Sequence, residues 1–511
     1  MLETRSRGRN NMEDDSGTEK TKIRRTSEDV DLISDLPDSV LCQILDFLPT
    51  TIDAMRSSFV SKRWESLWTS IPVIILDERH FVENVCEVTL QEQKNFADFV
   101  ERFITFHGDM KLSELWLRFD IRRYLKFSSR AETWVRTVMT TDARTIDLNF
   151  TGNTLALADM EQDMYTLTPC RFPSRSLKVL RIKYCKLRLL QNTSFISLQT
   201  VTLAAVKLSD STVNALISCS PCLEELILQC CFVPDSFLLE APESHLKCIV
   251  VDNCFTRGKK FIEHFSIDIP SLQSFKYEGI IKDVSVKDSR NLIDAEIEEN
   301  FKYCGFPNHE YNMICELFKG LRHVHSLTLS SWLYIEALQD VRVGNRELLD
   351  DVLYTLKHLN LKMWVSGCEL WELAPFLCFS PNLETLSIDL VEPEEGDVSY
   401  MLDKSVLKAN ETWDELTMPL EFLLHLKKVE IKGFEGRGNE IDFVVFLLEN
   451  AEVLEKMVIS NADLTARYEK YKNKGNKKTL KQLQKAQKKS SRYFFFLRKA
   501  SPCAEIVLSW D

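Results

Sequence analysis

Four cysteines between residues 219 and 231 combine a residue type and a spacing that could bind a metal ion. Cys219 and Cys222 form a Cys-x-x-Cys pair, and Cys230 and Cys231 follow shortly afterwards. Thiolates at such spacing are typical ligands of a structural zinc ion. Whether these four side chains converge depends on the secondary-structure elements that carry them.

No arrangement of catalytic residues stands out in the sequence. It contains no glycine-rich phosphate loop, no His-Glu-x-x-His and no Gly-x-Ser-x-Gly. His323 and His325 alternate on an expected strand without an acidic or cysteine partner at ligand spacing, and we interpret them as surface polar residues. We therefore expect a non-catalytic protein with no metal and no cofactor.

A short phrase, Leu-x-x-Leu-x-Leu in loosened form, recurs along most of the chain. Its copies are Leu112-Leu115-Leu117, Leu177-Leu180-Ile182, Leu198-Val201-Leu203, Leu223-Leu226-Leu228, Leu246-Ile249-Val251, Leu272-Phe275-Tyr277, Val324-Leu327-Leu329, Leu356-Leu359-Leu361, Leu383-Leu386-Ile388, Leu426-Val429-Ile431 and Leu454-Met457-Ile459, with weaker copies at Ala143-Ile146-Leu148 and Leu292-Ala295-Ile297. Between Leu177 and Leu272 the copies begin 21, 25, 23 and 26 residues apart. This pattern resembles an irregular leucine-rich-repeat solenoid, whose period is roughly 20 to 29 residues and whose turns each contribute one strand.

The repeat register offers a second interpretation of the cysteines. The position eight residues after the start of each phrase is occupied by Cys185, Val206, Cys231, Cys254, Ile280, Trp332, Trp364, Val391 and Phe434. Because these residues are mostly apolar, the position is typical of a buried ladder in which cysteine acts as a small hydrophobic side chain. We favour this structural interpretation over a zinc site.

Residues 31–68 predict three short helices ahead of the repeats. Pro37 suits the first turn of a helix, and apolar residues then recur on one face until Pro49 ends the pattern. Thr50 and Asp53 fit a capping box that begins the second helix. A unit this small cannot bury all of its large apolar side chains, so one face must dock elsewhere.

The segment LPDSVLCQILDFLPTTIDAMRSSFVSKRWESLW, residues 36–68, closely resembles the F-box of plant proteins. The F-box is the segment by which substrate receptors attach to a Skp-family adaptor in cullin-based ubiquitin ligases. The resemblance implies an adaptor contact made by Leu36, Pro37, Leu41, Ile44, Leu45, Leu48, Val60, Trp64, Leu67 and Trp68, with Lys62 and Arg63 on its polar rim.

The segment from His425 to Ile459 contains a strand phrase, a glycine-bearing turn and a helix. It resembles the FBD domain that follows the repeats of many plant F-box proteins, and it also fits the last turns of the solenoid plus a cap. The expected fold class is α/β: a short three-helix F-box, an irregular leucine-rich-repeat solenoid and an FBD-like C-terminal cap. The expected units are a disordered charged tail at 1–30, the F-box at 31–77, the solenoid at 78–410 and the FBD-like region at 411–511.

Charge and hydropathy bear on the partners of the chain. The lysine-rich stretch at 467–492 lacks interleaved aromatic residues in a chain of net charge −12, so we favour a solvated helix over nucleic-acid binding. No apolar run approaches the roughly 18 residues that span a bilayer, and no signal-peptide core is present. We expect no nucleic-acid or membrane partner and a cytoplasmic and/or nuclear location.

The F-box resemblance implies a substrate-recognition subunit of a Skp-cullin-F-box ubiquitin-protein ligase. The F-box would bind the Skp-family adaptor, a cullin would join through that adaptor, and the repeats would bind an unknown target protein. Two alternatives stay open: a non-ligase scaffold that binds the adaptor without a cullin, and a small-molecule receptor. The receptor would need a pocket in the concave wall; Trp332, Trp364 and Trp371 are candidates to line one, but we favour core packing for them because Trp332 and Trp364 fall on the ladder position.

Overall fold

The computed structural model of the chain describes residues 33, 35–48, 50–84, 87–107, 112–151, 164–168, 176–189, 193–258, 262–280, 283–299, 311–330, 353–364, 373, 377, 380–391, 423–436, 438–461, 494 and 499–509. The expected tail at 1–30 and the lysine-rich stretch at 467–492 lie outside these residues, as do Trp332 and Trp371.

The helices are concentrated at the N-terminal end of the described part. Their bounds are α1 Asp38–Asp46, α2 Thr51–Arg56, α3 Lys62–Leu67, α4 Leu90–His107, α5 Ser128–Thr140, α6 Asp210–Ser218, α7 Tyr311–Gly320 and α8 Gly438–Asn450. Short 3₁₀ segments lie at Ser57–Phe59, Trp68–Ser70, Glu78–Phe81 and Ile121–Phe127. The predicted three-helix unit is therefore confirmed as α1 to α3.

Short strands make up most of the remaining described chain. Their bounds are β1 Val73–Asp77, β2 Leu112–Arg118, β3 Ala143–Asn149, β4 Thr166–Leu167, β5 Val179–Lys183, β6 Lys186–Leu187, β7 Thr200–Ala204, β8 Glu225–Gln229, β9 Ser236–Glu240, β10 Cys248–Asp252, β11 His264–Asp268, β12 Ser274–Gly279, β13 Val284–Lys287, β14 Asp294–Glu299, β15 Ser326–Ser330, β16 His358–Trp364, β17 Thr385–Val391, β18 Lys428–Lys432, β19 Lys456–Ser460 and β20 Glu505–Ser509.

Fifteen of these strands form one parallel sheet in the order β1-β2-β3-β5-β7-β8-β10-β12-β14-β15-β16-β17-β18-β19-β20. Every predicted repeat phrase lies on or leads into one of these strands, and the equivalent apolar residues of neighbouring phrases are in register, as Leu180 is with Val201. The strands β13, β11 and β9 form a second sheet, and β4 pairs with β6. The α/β repeat architecture predicted from the phrases is confirmed.

Side chains of the large sheet alternate between a buried face and a half-exposed face. Along β5, Leu180 and Ile182 are buried while Arg181 and Lys183 are half-exposed. This alternation follows from strand geometry, in which successive side chains point to opposite faces. The half-exposed face, here called the open face, is therefore built from the polar residues between the leucines.

The predicted ladder of small and apolar residues is buried wherever the structure describes its side chains. Buried members are Cys185, Val206, Cys231, Cys254, Ile280 and Phe434. The Cys231 thiol donates a hydrogen bond to the Leu203 carbonyl at 3.1 Å. Cys222 and Cys230 are exposed instead, and within the described residues no three His, Cys, Asp or Glu side chains are grouped closely enough to hold a metal ion.

The chain turns sharply where several strands end. Tyr184, Ala205, Cys230 and Asn253 directly follow successive strands and have positive φ values of 62°, 50°, 49° and 48°. In this conformation the Ala205 N–H donates to the Gln229 carbonyl at 2.8 Å, which continues the hydrogen bonding between turns. Non-glycine residues adopt this region at an energetic cost, so each corner is held by its neighbours.

The large sheet continues across both ends of the expected solenoid. Its first strand, β1, lies in the segment assigned to the F-box, and β18, β19 and β20 lie in the segment assigned to the FBD-like region. The predicted helix near residue 443 is α8, in which Phe443 and Leu447 are fully buried. The C-terminal segment is thus continuous with the solenoid, which was the alternative interpretation of this region.

Candidate adaptor-binding surface

The first two helices begin and end close to the positions expected from their prolines and caps. Pro37 occupies the position just before α1, one residue earlier than predicted, and α1 ends at Asp46 rather than near Leu48. At the start of α2 the Asp53 N–H donates to the Thr50 hydroxyl oxygen at 3.1 Å. The Thr50 hydroxyl in turn donates to the Asp53 carboxylate at 2.7 Å. The predicted Thr50 cap is confirmed.

Four of the predicted adaptor contacts lie inside the chain's own core. Leu41 and Leu45 are 0% and 2% exposed, and Leu67 and Trp68 are 5% and 7% exposed. Their apolar spacing identifies the face that packs inward, so their role is to hold the helices together. In the chain alone these four side chains are therefore covered, and their role as direct adaptor contacts stays a prediction.

The other predicted contacts are available at the surface to different degrees. Ile44 is 41% and Val60 is 72% exposed, and Pro37 and Lys62 are also exposed. Leu36, Leu48 and Trp64 are half-buried and pack against the core. These residues retain side-chain surface that a partner could cover.

Sequence reasoning missed the two most exposed large side chains of this unit. Phe47 is 88% and Phe59 is 85% exposed, and each lies at the end of a helical segment. Both are out of phase with the buried helix face, so a search for periodic apolar residues passes over them. Large aromatic residues left in water are typical of a binding surface. Ile44, Phe47, Phe59 and Val60 are called the apolar set below.

Arg63 connects α3 to the start of α1. Its guanidinium donates to the Asp38 carboxylate at 2.6 and 2.9 Å and also to the Leu36 carbonyl. These contacts hold the start of α3 against the start of α1. Ile44 and Phe47 lie in and just after α1, whereas Phe59 and Val60 lie just before α3. Arg63 is half-buried, whereas its neighbour Lys62 is exposed.

Hydrogen bonds join the helical unit directly to the large sheet. The Ile75 N–H on β1 donates to the Thr51 hydroxyl oxygen of α2 at 2.8 Å. The Ser113 N–H at the start of β2 donates to the Pro72 carbonyl, also at 2.8 Å. The first of these bonds holds α2 against β1, and the second holds the residue before β1 against the start of β2.

A buried polar cluster joins the segments that follow β1 and β2. The Glu78 carboxylate accepts hydrogen bonds from the Asp120 N–H at 2.9 Å and from the Tyr124 hydroxyl at 3.2 Å. The Arg123 guanidinium lies 3.4 Å from it. Burial raises the pKa of Glu78, although the Asp120 N–H and the Arg123 charge act in the opposite direction. Burial likewise raises the pKa of Tyr124.

The helices with exposed apolar residues, followed by a parallel repeat sheet, define an F-box protein with leucine-rich repeats. The F-box domain model matches residues 33–76, and the model of the At1g61320/AtMIF1 LRR domain matches residues 106–499. The chain therefore belongs to this leucine-rich-repeat family and carries an F-box at its N-terminal end.

Several Arabidopsis thaliana proteins are similar over most of their length. FBD-associated F-box protein At1g66310 is 25% identical over 88% of this chain and 94% of its own length. F-box/FBD/LRR-repeat protein At1g78750 is 26% identical over 87% of this chain and 93% of its own length. F-box/LRR-repeat protein 13 is 24% identical over 87% and 93%.

The two domains identify the chain as a protein-interaction adaptor. An F-box domain in general binds a Skp-type adaptor, and the repeats provide a second surface. Across the part of the chain that the structure describes, no helix has the length and apolar character needed to cross a membrane.

Proposed function

We propose that the chain is the substrate-recognition subunit of a Skp-cullin-F-box ubiquitin-protein ligase. Its F-box binds a Skp-type adaptor, a cullin joins through the adaptor, and the repeat sheet binds a target protein for ubiquitination. The chain contributes binding and positioning, and the chemical steps belong to other subunits. The observation that supports this proposal best is the exposed apolar set on helices that match the F-box.

The apolar set can supply a large part of the adaptor affinity. Phe47, Phe59 and Val60 are between 72% and 88% exposed, so nearly all of their apolar area remains to be buried. Covering one such side chain contributes about 1.5–3 kcal/mol before the entropy lost on association is subtracted. The half-buried Leu36, Leu48 and Trp64 extend the same contact, and exposed Lys62 lies at its polar rim.

The junction between helices and sheet suits a positioning role. A target held on the repeat sheet keeps a fixed orientation to the adaptor, because the Thr51 contact holds α2 against β1 and the Glu78 contacts hold the segments after β1 and β2 together. Holding two reactants in one assembly raises their effective concentration, which is the rate gain expected of a non-catalytic receptor. The free thiols of Cys185, Cys231 and Cys254 suit the reducing cytoplasm or nucleus.

Affinity capture from Arabidopsis extract tests the proposal. The full chain is compared with a Phe47→Ser/Phe59→Ser variant, in which both changes are at exposed positions and leave the core intact. The full chain should capture a Skp-type adaptor and a cullin, and the variant should lose both while keeping other partners. Capture of the adaptor without a cullin would favour a non-ligase scaffold, and capture of neither would contradict the F-box role.

A further inference from the structure

One side chain joins two segments that lie far apart in the F-box sequence. The Arg63 guanidinium, in the first turn of α3, donates through Nε and Nη2 to one oxygen of the Asp38 carboxylate, at 2.9 and 2.6 Å. The same Nη2 donates to the Leu36 carbonyl. Because one planar group holds both a carboxylate and a main-chain carbonyl, Arg63 fixes the path of the chain from Leu36 to Asp38. These contacts are called the Arg63 bridge below.

The start of α1 has no capping side chain of its own. Pro37 occupies the cap position, and its side chain makes no capping hydrogen bond. In contrast, Thr50 caps α2, Thr89 caps α4 and Ser209 caps α6, each through its hydroxyl oxygen. The first turn of a helix carries unpaired N–H groups and is the part that unwinds first when no cap is present. The order of this turn in α1 therefore depends on the contact that α3 supplies.

Predicted adaptor contacts lie on both sides of the Arg63 bridge. Leu36 and Pro37 immediately precede α1, and Trp64 follows Arg63 in α3. Pro37 is exposed, and Leu36 and Trp64 are half-buried and pack against the core. The bridge therefore holds contact residues from two segments in one arrangement before a partner binds. A surface that is ordered in advance binds more tightly, because less conformational freedom is lost on association.

The two neighbouring cations of α3 differ in what they contact. Lys62 is exposed and makes no ion pair with any residue that the structure describes. The Arg63 side chain is 36% exposed, and two of its three nitrogens donate hydrogen bonds within the helical unit. Lys62 thus points its charge to solvent, whereas the charge of Arg63 is used inside the unit.

We propose that Arg63 is a positioning residue, which acts on adaptor binding through Asp38 and Leu36 and not as a cation at the polar rim. The proposal rests on the proposed function, because it takes a Skp-type adaptor as the partner of the F-box. Without the bridge, the start of α1 has to be ordered at the moment of binding, and the affinity falls. The helices themselves persist, because the buried Leu41 and Leu67 hold them together.

Charge reversal tests whether Arg63 acts through Asp38. The Kd for a purified Skp-type adaptor is measured by calorimetry with the full chain, well below the melting temperature. Arg63→Asp and Asp38→Arg should each weaken binding at least about fivefold, because each places like charges side by side. Asp38→Arg/Arg63→Asp restores the attraction and should bind at least about threefold more tightly than either single variant. An arginine that contacts the adaptor directly would give no such recovery.

Arg63→Lys tests the geometry of the bridge at unchanged charge. A lysine cannot hold the Asp38 carboxylate and the Leu36 carbonyl with one planar group, so binding should weaken about three- to tenfold. Amide hydrogens of residues 35–41 should also exchange faster in the free variant, because the first turn of α1 rests on hydrogen bonds that the Pro37 carbonyl accepts. A residue that only stabilises the fold would lower the melting temperature and leave the Kd of the folded chain unchanged.

The Glu132–Arg136 pair on α5 provides a matched control. It is also an arginine–carboxylate contact, at 3.4 Å, and it lies outside the F-box. Arg136→Asp makes the same charge change as Arg63→Asp, and it should leave the Kd for the adaptor within about twofold of the wild-type value, because an exposed pair of this kind contributes little.

The contrary results are distinguishable. Wild-type affinity in Arg63→Lys, or a double reversal that binds no better than the single variants, would overturn the positioning role while the proposed function stands. Faster amide exchange at an unchanged Kd would reduce Arg63 to a structural role and overturn the proposal. If the wild-type chain binds no adaptor in the same titration, the proposed function fails and the role of Arg63 fails with it.

Discussion

Removing Phe47 and Phe59 should weaken adaptor binding strongly without destabilising the chain. Each ring is at least 85% exposed in the chain alone, so the free protein loses little packing on truncation. If a partner covers each ring, Phe47→Ala and Phe59→Ala should each cost about 1.5–2.5 kcal/mol of binding free energy. That range is about 10- to 70-fold in Kd, since about 1.4 kcal/mol corresponds to a factor of ten.

Isothermal titration calorimetry with a purified Skp-type adaptor measures this effect. Val453→Ala is a matched control, because Val453 is 43% exposed but lies in the turn before β19. Leu41→Ala should instead lower the folding stability by about 2–5 kcal/mol, because the Leu41 side chain is fully buried. A change of less than about threefold in Kd for both phenylalanine variants, at unchanged melting temperature, would refute the assignment of the apolar set.

Three further predictions concern the fold itself and are measured by denaturant unfolding. Ala205→Gly relieves a positive φ and should stabilise the chain by about 0.5 kcal/mol, whereas Ala204→Gly in β7 should destabilise it by about 0.5–1 kcal/mol; equal signs would contradict the corner geometry. Gly433→Ala should cost more than about 2 kcal/mol of folding stability, because its Cβ would lie 2.2 Å from the Leu390 carbonyl oxygen. Gly258→Ala should cost only about 1 kcal/mol, because no heavy atom of the described residues lies within 4 Å of the added Cβ; similar losses in the two variants would count against this packing. Burial raises the pKa of Glu78, so the folded state binds a proton at this carboxyl more tightly than the unfolded state does. The wild-type chain should therefore gain stability relative to Glu78→Gln as the pH falls from neutral towards the ordinary glutamate pKa. A stability difference between the two proteins that does not change with pH would exclude this linkage.

Much of the large sheet was predictable because its repeat unit is local. The phrase Leu-x-x-Leu-x-Leu places buried residues at fixed offsets, and each copy falls at a strand of the sheet. The first and last strands, β1 and β20, were missed because they lie outside the recognised run of phrases. The register eight residues after each phrase also identified the buried positions of Cys185, Cys231 and Cys254.

The second sheet was not predictable from any single turn. Its strands β9, β11 and β13 are short, and each pairs only with the equivalent segment of another turn. Their packing depends on contacts such as the stacked rings of Phe237 and Phe265, whose centroids lie 5.6 Å apart. Long-range pairing of this kind leaves a weak signal in local periodicity.

The exposed side chains of the helical unit were predicted only in part, because their direction also depends on the fold. Periodicity identifies the helix face that packs inward, on which Leu41 and Leu45 are buried in the chain alone. The F-box resemblance names both as adaptor contacts, and that role stays a prediction. The exposed Phe47 and Phe59 lie at segment ends, where the direction of a side chain depends on how the chain turns. Only the three-dimensional arrangement separates the residues that build the unit from those that remain available to a partner.

The most direct test of the account is co-elution of the purified chain with a Skp-type adaptor and a cullin on size-exclusion chromatography. The account predicts one complex that contains all three proteins and that dissociates into chain and adaptor–cullin when Phe47 and Phe59 are both replaced by serine. A chain that co-elutes with the adaptor but excludes the cullin, or that elutes alone, would contradict the role as a ligase receptor.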